Sequence, residues 1–228
     1  DAARAVQEIL GSGILPSALE ITDGFTLKAA RAHLGDDVLP DGDAHLIVEI
    51  DGQVDSVRGE LDALVEKVRE LGACGLEIAD TDAGCEQIWQ LRRDFSYSLR
   101  ATGLTKLNED VVVPRSKLVE LVQFASKIEA ETGIAVACFG HAGDGNIHTN
   151  LMVADYADPV EKEKADRALD QLFHWIIENG GAITGEHGVG LAKKRWFNDA
   201  VGEVSLSVHQ QIKSALDPKG ILNPDKVF

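Results

Sequence analysis

The apolar positions of this chain switch repeatedly between a period of two and a period near 3.6, the signature of strands alternating with helices. Ala3 to Leu10 reads as a helix and Ala18 to Ile21 as a short strand. Leu27 to His33 reads as a second helix. Ala44 to Ile50, with Leu46, Val48 and Ile50 alternating, reads as a second strand. Val54, Val57, Leu61, Leu64, Val68 and Leu71 form a helical stripe over about five turns. Gly75 to Ala79 reads as a strand, Asp82 to Leu99 as a helix, and Asn108 to Val113 as an extended segment closed by Pro114. Lys117 to Ile128 is predicted helical, and Ile134 to Phe139 and Ile147 to Val153 are predicted to be the arms of a hairpin. Pro159 to Ile177 is a long predicted helix ending near Gly180-Gly181. Val204 to Leu216 is the last helix, followed by the turn Asp217-Pro218-Lys219-Gly220.

Antiparallel-strand signals accompany these helices, and no Gly-rich turn joins a strand to a helix in the dinucleotide-binding manner. The pattern therefore predicts one α+β layered domain over 1–228, an antiparallel sheet with helices on one face. The strand order is not legible at this level.

The hairpin carries candidate chemistry. Its tip reads His141-Ala142-Gly143-Asp144-Gly145-Asn146-Ile147-His148, and Asp-Gly is a strong signal for a two-residue type I′ turn. Such a turn pairs Gly143 with Asn146, Ala142 with Ile147 and His141 with His148. Directly opposed residues have Cβ atoms roughly 4.5–5.5 Å apart on one face, so two imidazoles there could chelate one metal ion. A second cluster, Gly185-Glu186-His187-Gly188, offers a carboxylate and a third imidazole. Two His and one Glu form the ligand set of an open, catalytic metal site. Glu186 and His187 can share a site only if their segment is irregular, which the flanking glycines permit. The expected metal ligands are His141, His148 and Glu186, with His187 left free. The plainer alternative is that His141 and His148 merely hydrogen-bond to backbone around a tight turn. Asn150 falls two residues past His148, on the same strand face, where it could orient a bound ligand.

Arg92 lies within the apolar stripe formed by Ile88, Leu91, Phe95 and Leu99, about 40° from Ile88. An inward arginine needs a partner, either a structural carboxylate or the carboxylate of a substrate. Ser96, one turn on, could add a hydroxyl. Lys106, Lys193, Lys194 and Arg195 are further cations, the last three reading as an exposed helix end.

Composition narrows the function. The 228 residues are 44% hydrophobic and 26% charged, as in ordinary soluble proteins, and the net charge is −16. That charge argues against nucleic acid or an anionic membrane as partner, and it makes any anionic substrate dependent on a local island of positive charge. Cys74, Cys85 and Cys138 form no CxxC pair, which predicts buried structural thiols in a reducing, cytoplasmic setting. There is no apolar run of about 18 residues and no signal peptide. Met152 is the only methionine and residue 1 is Asp, so further chain is expected to precede it.

Three segments together carry a resemblance. Gly140 through His148, Gly185-Glu186-His187-Gly188-Val189-Gly190, and Leu216-Asp217-Pro218-Lys219-Gly220-Ile221-Leu222-Asn223-Pro224 resemble the C-terminal half of FAD-linked D-2-hydroxy-acid dehydrogenases. That family includes flavin D-lactate dehydrogenases, glycolate oxidase flavin subunits and D-2-hydroxyglutarate dehydrogenase. Trp89-Gln90-Leu91-Arg92 is similar to the family's arginine-bearing helix.

The resemblance implies a cap or substrate-binding domain with a ferredoxin-like antiparallel sheet covered by helices, preceded in the whole protein by an N-terminal FAD-binding domain. It implies a divalent cation, zinc or manganese, at His141, His148 and Glu186, a base at His187, and substrate contacts from Arg92, Ser96, Lys106 and Asn150. Ser96 stands where some relatives have threonine, and Lys106 aligns only with one residue inserted before it. The implied reaction oxidises a D-2-hydroxy acid such as D-lactate, glycolate or D-2-hydroxyglutarate to its 2-keto acid, with the hydride passing to FAD. The residues alone leave two alternatives, a metal-dependent hydrolase and a non-catalytic interaction domain. The electron acceptor and the oligomeric state, a homodimer included, stay open.

Overall fold

The computed structural model describes residues 1–39 and 42–227. Five antiparallel strands form one open sheet: β1 (Ala18–Asp23), β2 (Ala44–Glu49), β3 (Thr105–Val112), β4 (Ala135–His141) and β5 (Asn146–Val153). Their order across the sheet is β2-β1-β4-β5-β3. The helices are α1 (Ala2–Gly11), α2 (Gly24–Leu34), α3 (Val54–Glu70), α4 (Asp82–Ala101), α5 (Leu118–Thr132), α6 (Pro159–Glu178) and α7 (Lys194–Leu216). The mixed α+β fold read from the sequence is thus present, with a strand order that the local pattern could not supply.

Local chemistry sets several boundaries. Asp23 caps α2 by accepting from Thr26 N at 2.9 Å, and Thr81 caps α4 by accepting from Gly84 N at 3.2 Å. Asp158 accepts from Val160 N and Glu161 N, with Pro159 in the first turn of α6 where its missing N–H costs nothing. Gly75 to Ala79, expected as a strand, forms no regular element. The last helix starts ten residues earlier than its periodicity predicts and is broken at Gly202 (φ 71°, ψ 166°). Beyond that break Val204, Val208, Ile212 and Leu216 stay exposed.

The sheet has two chemically different faces. Leu19 and Ile21 of β1, Val111 of β3, Val136 and Cys138 of β4, and Ile147, Leu151 and Val153 of β5 point one way and are buried. They join Val6 and Ile9 of α1, Leu64 of α3, Leu121 and Ile128 of α5 and Leu172, Phe173 and Ile176 of α6 in one apolar cluster. Each fully buried Leu, Ile or Phe in that layer contributes about 1.5–3 kcal/mol relative to exposure. The residues between them point the other way: Glu20, Thr22, Lys106, Asp110, Phe139, His141, His148 and Asn150.

Helices were expected on one face, and they lie on both. Ala29 of α2 and Leu99 of α4 pack on Ala137, Phe139 and Met152 of the polar face. Phe95 packs with Leu27 and Ala30. These small apolar patches let α2 and α4 cover part of that face while leaving its charged end open. No described helix is long and apolar enough to cross a membrane.

Candidate active site

The hairpin register decides how the imidazoles meet. His141 pairs with Asn146 and Phe139 with His148, so the loop is the four residues Ala142–Gly145 and the expected pairing of His141 with His148 is displaced by two. Asp144 does not take positive φ, as a type I′ turn requires; its side chain instead accepts from Asn146 N at 3.0 Å. Neighbouring strands hold the wider loop: Gly143 N donates to Leu19 O at 3.0 Å, and Val113 N donates to Gly145 O at 3.0 Å. Gly145 is obligatory here, since a Cβ would sit 2.1 Å from Val113 O at φ +84°. A slip of two keeps strand parity, so both histidines remain on the polar face. Their ring centroids are 6.4 Å apart.

The segment bearing Glu186 and His187 is irregular, as expected, and lies over this face. Glu186 Oε1 is 3.3 Å from His141 Nε2. The His187 ring stacks on His148 at 5.6 Å between centroids, and its Nδ1 lies 3.5 Å from Asp110 Oδ1. His148 is sandwiched in turn against Phe139 at 5.2 Å.

Arg92 enters from α4, inward as its place in the stripe predicts. Its Nε donates to Glu20 Oε2 at 2.5 Å, and the other Glu20 oxygen bonds His141 Nδ1. The guanidinium also lies 5.0 Å from the centre of the Phe139 ring, and Lys106 Nζ lies 5.5 Å from it. Lys106 donates to Ser96 Oγ at 2.9 Å. Two of the three residues expected to contact substrate beside Arg92 are therefore bonded to each other.

Burial and charge tune these groups. Burial alone would raise the Glu20 carboxyl, but His141 and Arg92 outweigh it and hold it below the ordinary range. The same bond to Glu20 raises the His141 imidazole. Burial, assisted by the nearby Arg92 charge, pushes His148 down to about 4, so it is neutral near pH 7. Burial, with Arg100, pushes Lys106 down to about 8. Burial opposes ionisation of Asp110 too, yet Lys193 and the amides of Glu186 and His187 keep it far below the usual carboxylate value.

The sequence matches the family described as FAD linked oxidases, C-terminal domain, over residues 1–227. The chain belongs to this family. It is 31% identical over 227 residues to the glycolate oxidase subunit GlcD of Bacillus subtilis, covering 100% of this chain and 48% of that protein. It is 30% identical to a D-lactate dehydrogenase of Anaerostipes hadrus, covering 100% of this chain and 49% of that one. A mitochondrial D-lactate dehydrogenase [cytochrome] of Saccharomyces cerevisiae is 29% identical, with 100% of this chain and 40% of the relative covered. The chain thus spans about half the length, or less, of these relatives. Its fold is similar to that of p-cresol methylhydroxylase solved with substrate bound (TM-score 0.66, 17% identity, 97% of this chain and 48% of that one).

In this FAD linked oxidase C-terminal domain, the fold brings His141, His148, Glu186, His187 and Arg92 into one cluster, with Ser96 and Lys106 beside it. Asn150 is set apart: it is wholly buried, and its Nδ2 donates to Ala137 O at 3.0 Å and His148 O at 3.2 Å. Its Oδ1 has no partner. Lys193, expected at an exposed helix end, is 3% exposed and paired with Asp110, because the chain folds back beneath the 185–188 loop before α7 begins. The thiols differ from expectation as well: Cys138 is buried, but Cys74 is exposed and Cys85 partly so.

Two acidic residues were not singled out in the sequence. Glu20 sits between Leu19 and Ile21 and so points to the opposite sheet face from them, where it is nonetheless buried, and Asp110 precedes Val111-Val112-Val113. A carboxylate centred in an apolar strand is the signal that could have found both, since burial obliges a partner.

Among the described residues, no three His, Cys, Asp or Glu side chains converge in metal-ligand spacing. The donor chemistry nonetheless suits a divalent cation. His148 is neutral with a buried Nδ1 that lacks a partner, and Glu20 takes the Nδ1 side of His141 in the carboxylate–imidazole arrangement that supports a metal ligand at the other nitrogen.

Proposed function

We propose that this domain is the substrate-binding part of a flavoprotein that oxidises a D-2-hydroxy acid to the 2-keto acid. One observation carries the reading: on a protein of net charge −16, the polar sheet face gathers Arg92, Lys106 and three imidazoles at one place. On a protein of net negative charge such a local gathering of cationic groups can draw an anionic substrate. The names of the relatives, glycolate oxidase subunit and D-lactate dehydrogenase, point to small hydroxy acids of this kind.

In the proposed reaction Arg92 binds the substrate carboxylate through its terminal amino groups, its Nε being committed to Glu20. Lys106 and Ser96 line the same side and orient the far end of the acid. His187 takes the proton from the substrate hydroxyl, with Asp110 on its Nδ1 side favouring the tautomer whose Nε2 accepts. His141, His148 and Glu186 are the residues that would hold a divalent cation, zinc or manganese, and Asn150 backs His148. Such a cation, when bound, supplies Lewis acidity that lowers the pKa of a coordinated hydroxyl. FAD, when bound by the N-terminal domain of the intact protein, supplies the two-electron acceptor for the hydrogen on the substrate carbon.

The test is a screen of D-2-hydroxy acids against the intact protein, read as loss of the oxidised flavin absorbance, beside elemental analysis. Reduction by a D-acid and not by its L-enantiomer is expected, with about one zinc or manganese per chain. A yellow protein that no hydroxy acid bleaches would sink the reading.

A further inference from the structure

Asp110 is wholly buried, yet it makes more polar contacts with an exposed loop than with its own strand. Its Oδ2 accepts from three successive backbone amides, those of Gly185 at 2.8 Å, Glu186 at 2.5 Å and His187 at 3.0 Å. Its Oδ1 accepts from Lys193 Nζ at 2.6 Å and from Thr184 Oγ1 at 3.2 Å, and lies 3.5 Å from His187 Nδ1. The side chains it holds in place face solvent: Glu186 is 52% and His187 41% exposed.

We propose that Asp110 is the positioning residue of this site, a buried carboxylate that sets the Glu186–His187 loop on the sheet, and that Lys193 is its fixed counter-charge. Glycines flank the loop, so backbone freedom would disperse its two reactive side chains unless something fixed the peptide groups between them. Three consecutive N–H groups converging on one anion do that, each bond strengthened by the charge it meets.

A lone carboxylate in that place would be an uncompensated buried charge. Lys193, itself 3% exposed, prevents this; its ammonium also donates to Asp110 O at 3.0 Å and lies 3.6 Å from Glu109 Oε2. Because Asp110 sits opposite His148 in the β3–β5 register, the clamp ties the loop to the strand that presents that imidazole. One residue thus aligns His187, Glu186 and His148 without touching substrate. The proposal deepens the reading given above and rests on it for the role of the loop, but its structural half is independent.

The experiment is site-resolved hydrogen exchange on the intact flavoprotein, together with steady-state kinetics on whichever hydroxy acid reduces it. In the unaltered protein the amides of 185, 186 and 187 are expected to exchange about a hundredfold more slowly than those of 190–192 despite the exposed side chains around them. Rapid exchange of those three amides overturns the proposal without any variant being made. Asp110→Asn is expected to erase that protection while FAD content and exchange in β4 are retained, and to lower kcat at least tenfold with KM changed less than threefold. Asp110→Asn with Lys193→Gln removes both charges together and is the variant to use if the single one does not fold; it should fold, yet lose the loop protection. Retained protection, or a kcat equal to that of the parent, in either folded variant overturns the proposal. Failure of the hydroxy-acid reading looks different: the parent then reduces no flavin, while the exchange pattern still decides the clamp.

Discussion

Arg92 donates through Nε to Glu20 at 2.5 Å, and neither side chain is more than 12% exposed. The plain reading of an inward arginine, a structural ion pair, is therefore realised in this side chain, and its role toward a substrate carboxylate is the proposal made above. Replacing Glu20 by Gln strands the Arg92 charge and removes the support of His141. We expect a loss of about 3 kcal/mol in chemical denaturation, as when one partner of a buried pair is deleted.

Arg92→Lys tests the other half of that side chain. Lysine keeps the charge but loses the fork that holds Glu20 and that, in the proposed reaction, would also grip the substrate carboxylate. A fall in kcat/KM for the hydroxy acid of at least tenfold is expected, mostly through KM. An unchanged kcat/KM would return Arg92 to a purely structural role.

His187→Ala separates base from ligand. A positioned base contributes roughly 10²–10⁴ in rate, so turnover should fall by about that factor while metal content stays near the parental value. His141→Ala and His148→Ala should lose both together. Equal loss of metal and rate in the His187 variant would make it a ligand.

Lys106 predicts a pH effect whose sign follows from burial. Its folded pKa of about 8 lies below the ordinary lysine value of 10.5, so the folded state sheds this proton over that window while the unfolded state keeps it. For this group stability rises with pH between about 8 and 10.5, the reverse of a lysine that gains a partner. An anion bound beside it favours the charged form, so substrate binding near pH 8.5 should take up a proton. Calorimetry in two buffers of different ionisation heat measures that uptake, and Lys106→Met should abolish it.

Two glycines predict opposite signs. Gly145→Ala forces a Cβ against Val113 O in left-handed backbone and should cost about 2 kcal/mol or more. Gly59 lies on the exposed side of α3 with nothing within 4 Å of an added Cβ. Gly59→Ala should stabilise by about 0.5–1 kcal/mol. Thermal unfolding of the two variants checks both.

Sequence alone determined much of this protein, because the decisive information was local. Alternation and 3.6-residue stripes marked all five described strands, β3 as an extended segment, and all seven described helices, the last one ten residues short. They also added a strand at Gly75 to Ala79 that does not form. The inward place of Arg92 followed from helix geometry alone. The shared face of His141 and His148 survived an error in the turn, since a two-residue slip preserves parity. The segments Gly140–His148, Gly185–Gly190 and Leu216–Pro224 also pointed to the family found over residues 1–227.

Tertiary structure decided the rest. Leu19 O, which accepts from Gly143 N, and Val113 N, which donates to Gly145 O, are distant in sequence from the hairpin loop and override the turn that Asp144-Gly145 would form by itself. Glu20 meets Arg92 across 72 positions, and Asp110 meets Lys193 across 83. No periodicity encodes such pairs. Each buried charge has to find an opposite one, and which one it finds depends on how the strands are ordered in space.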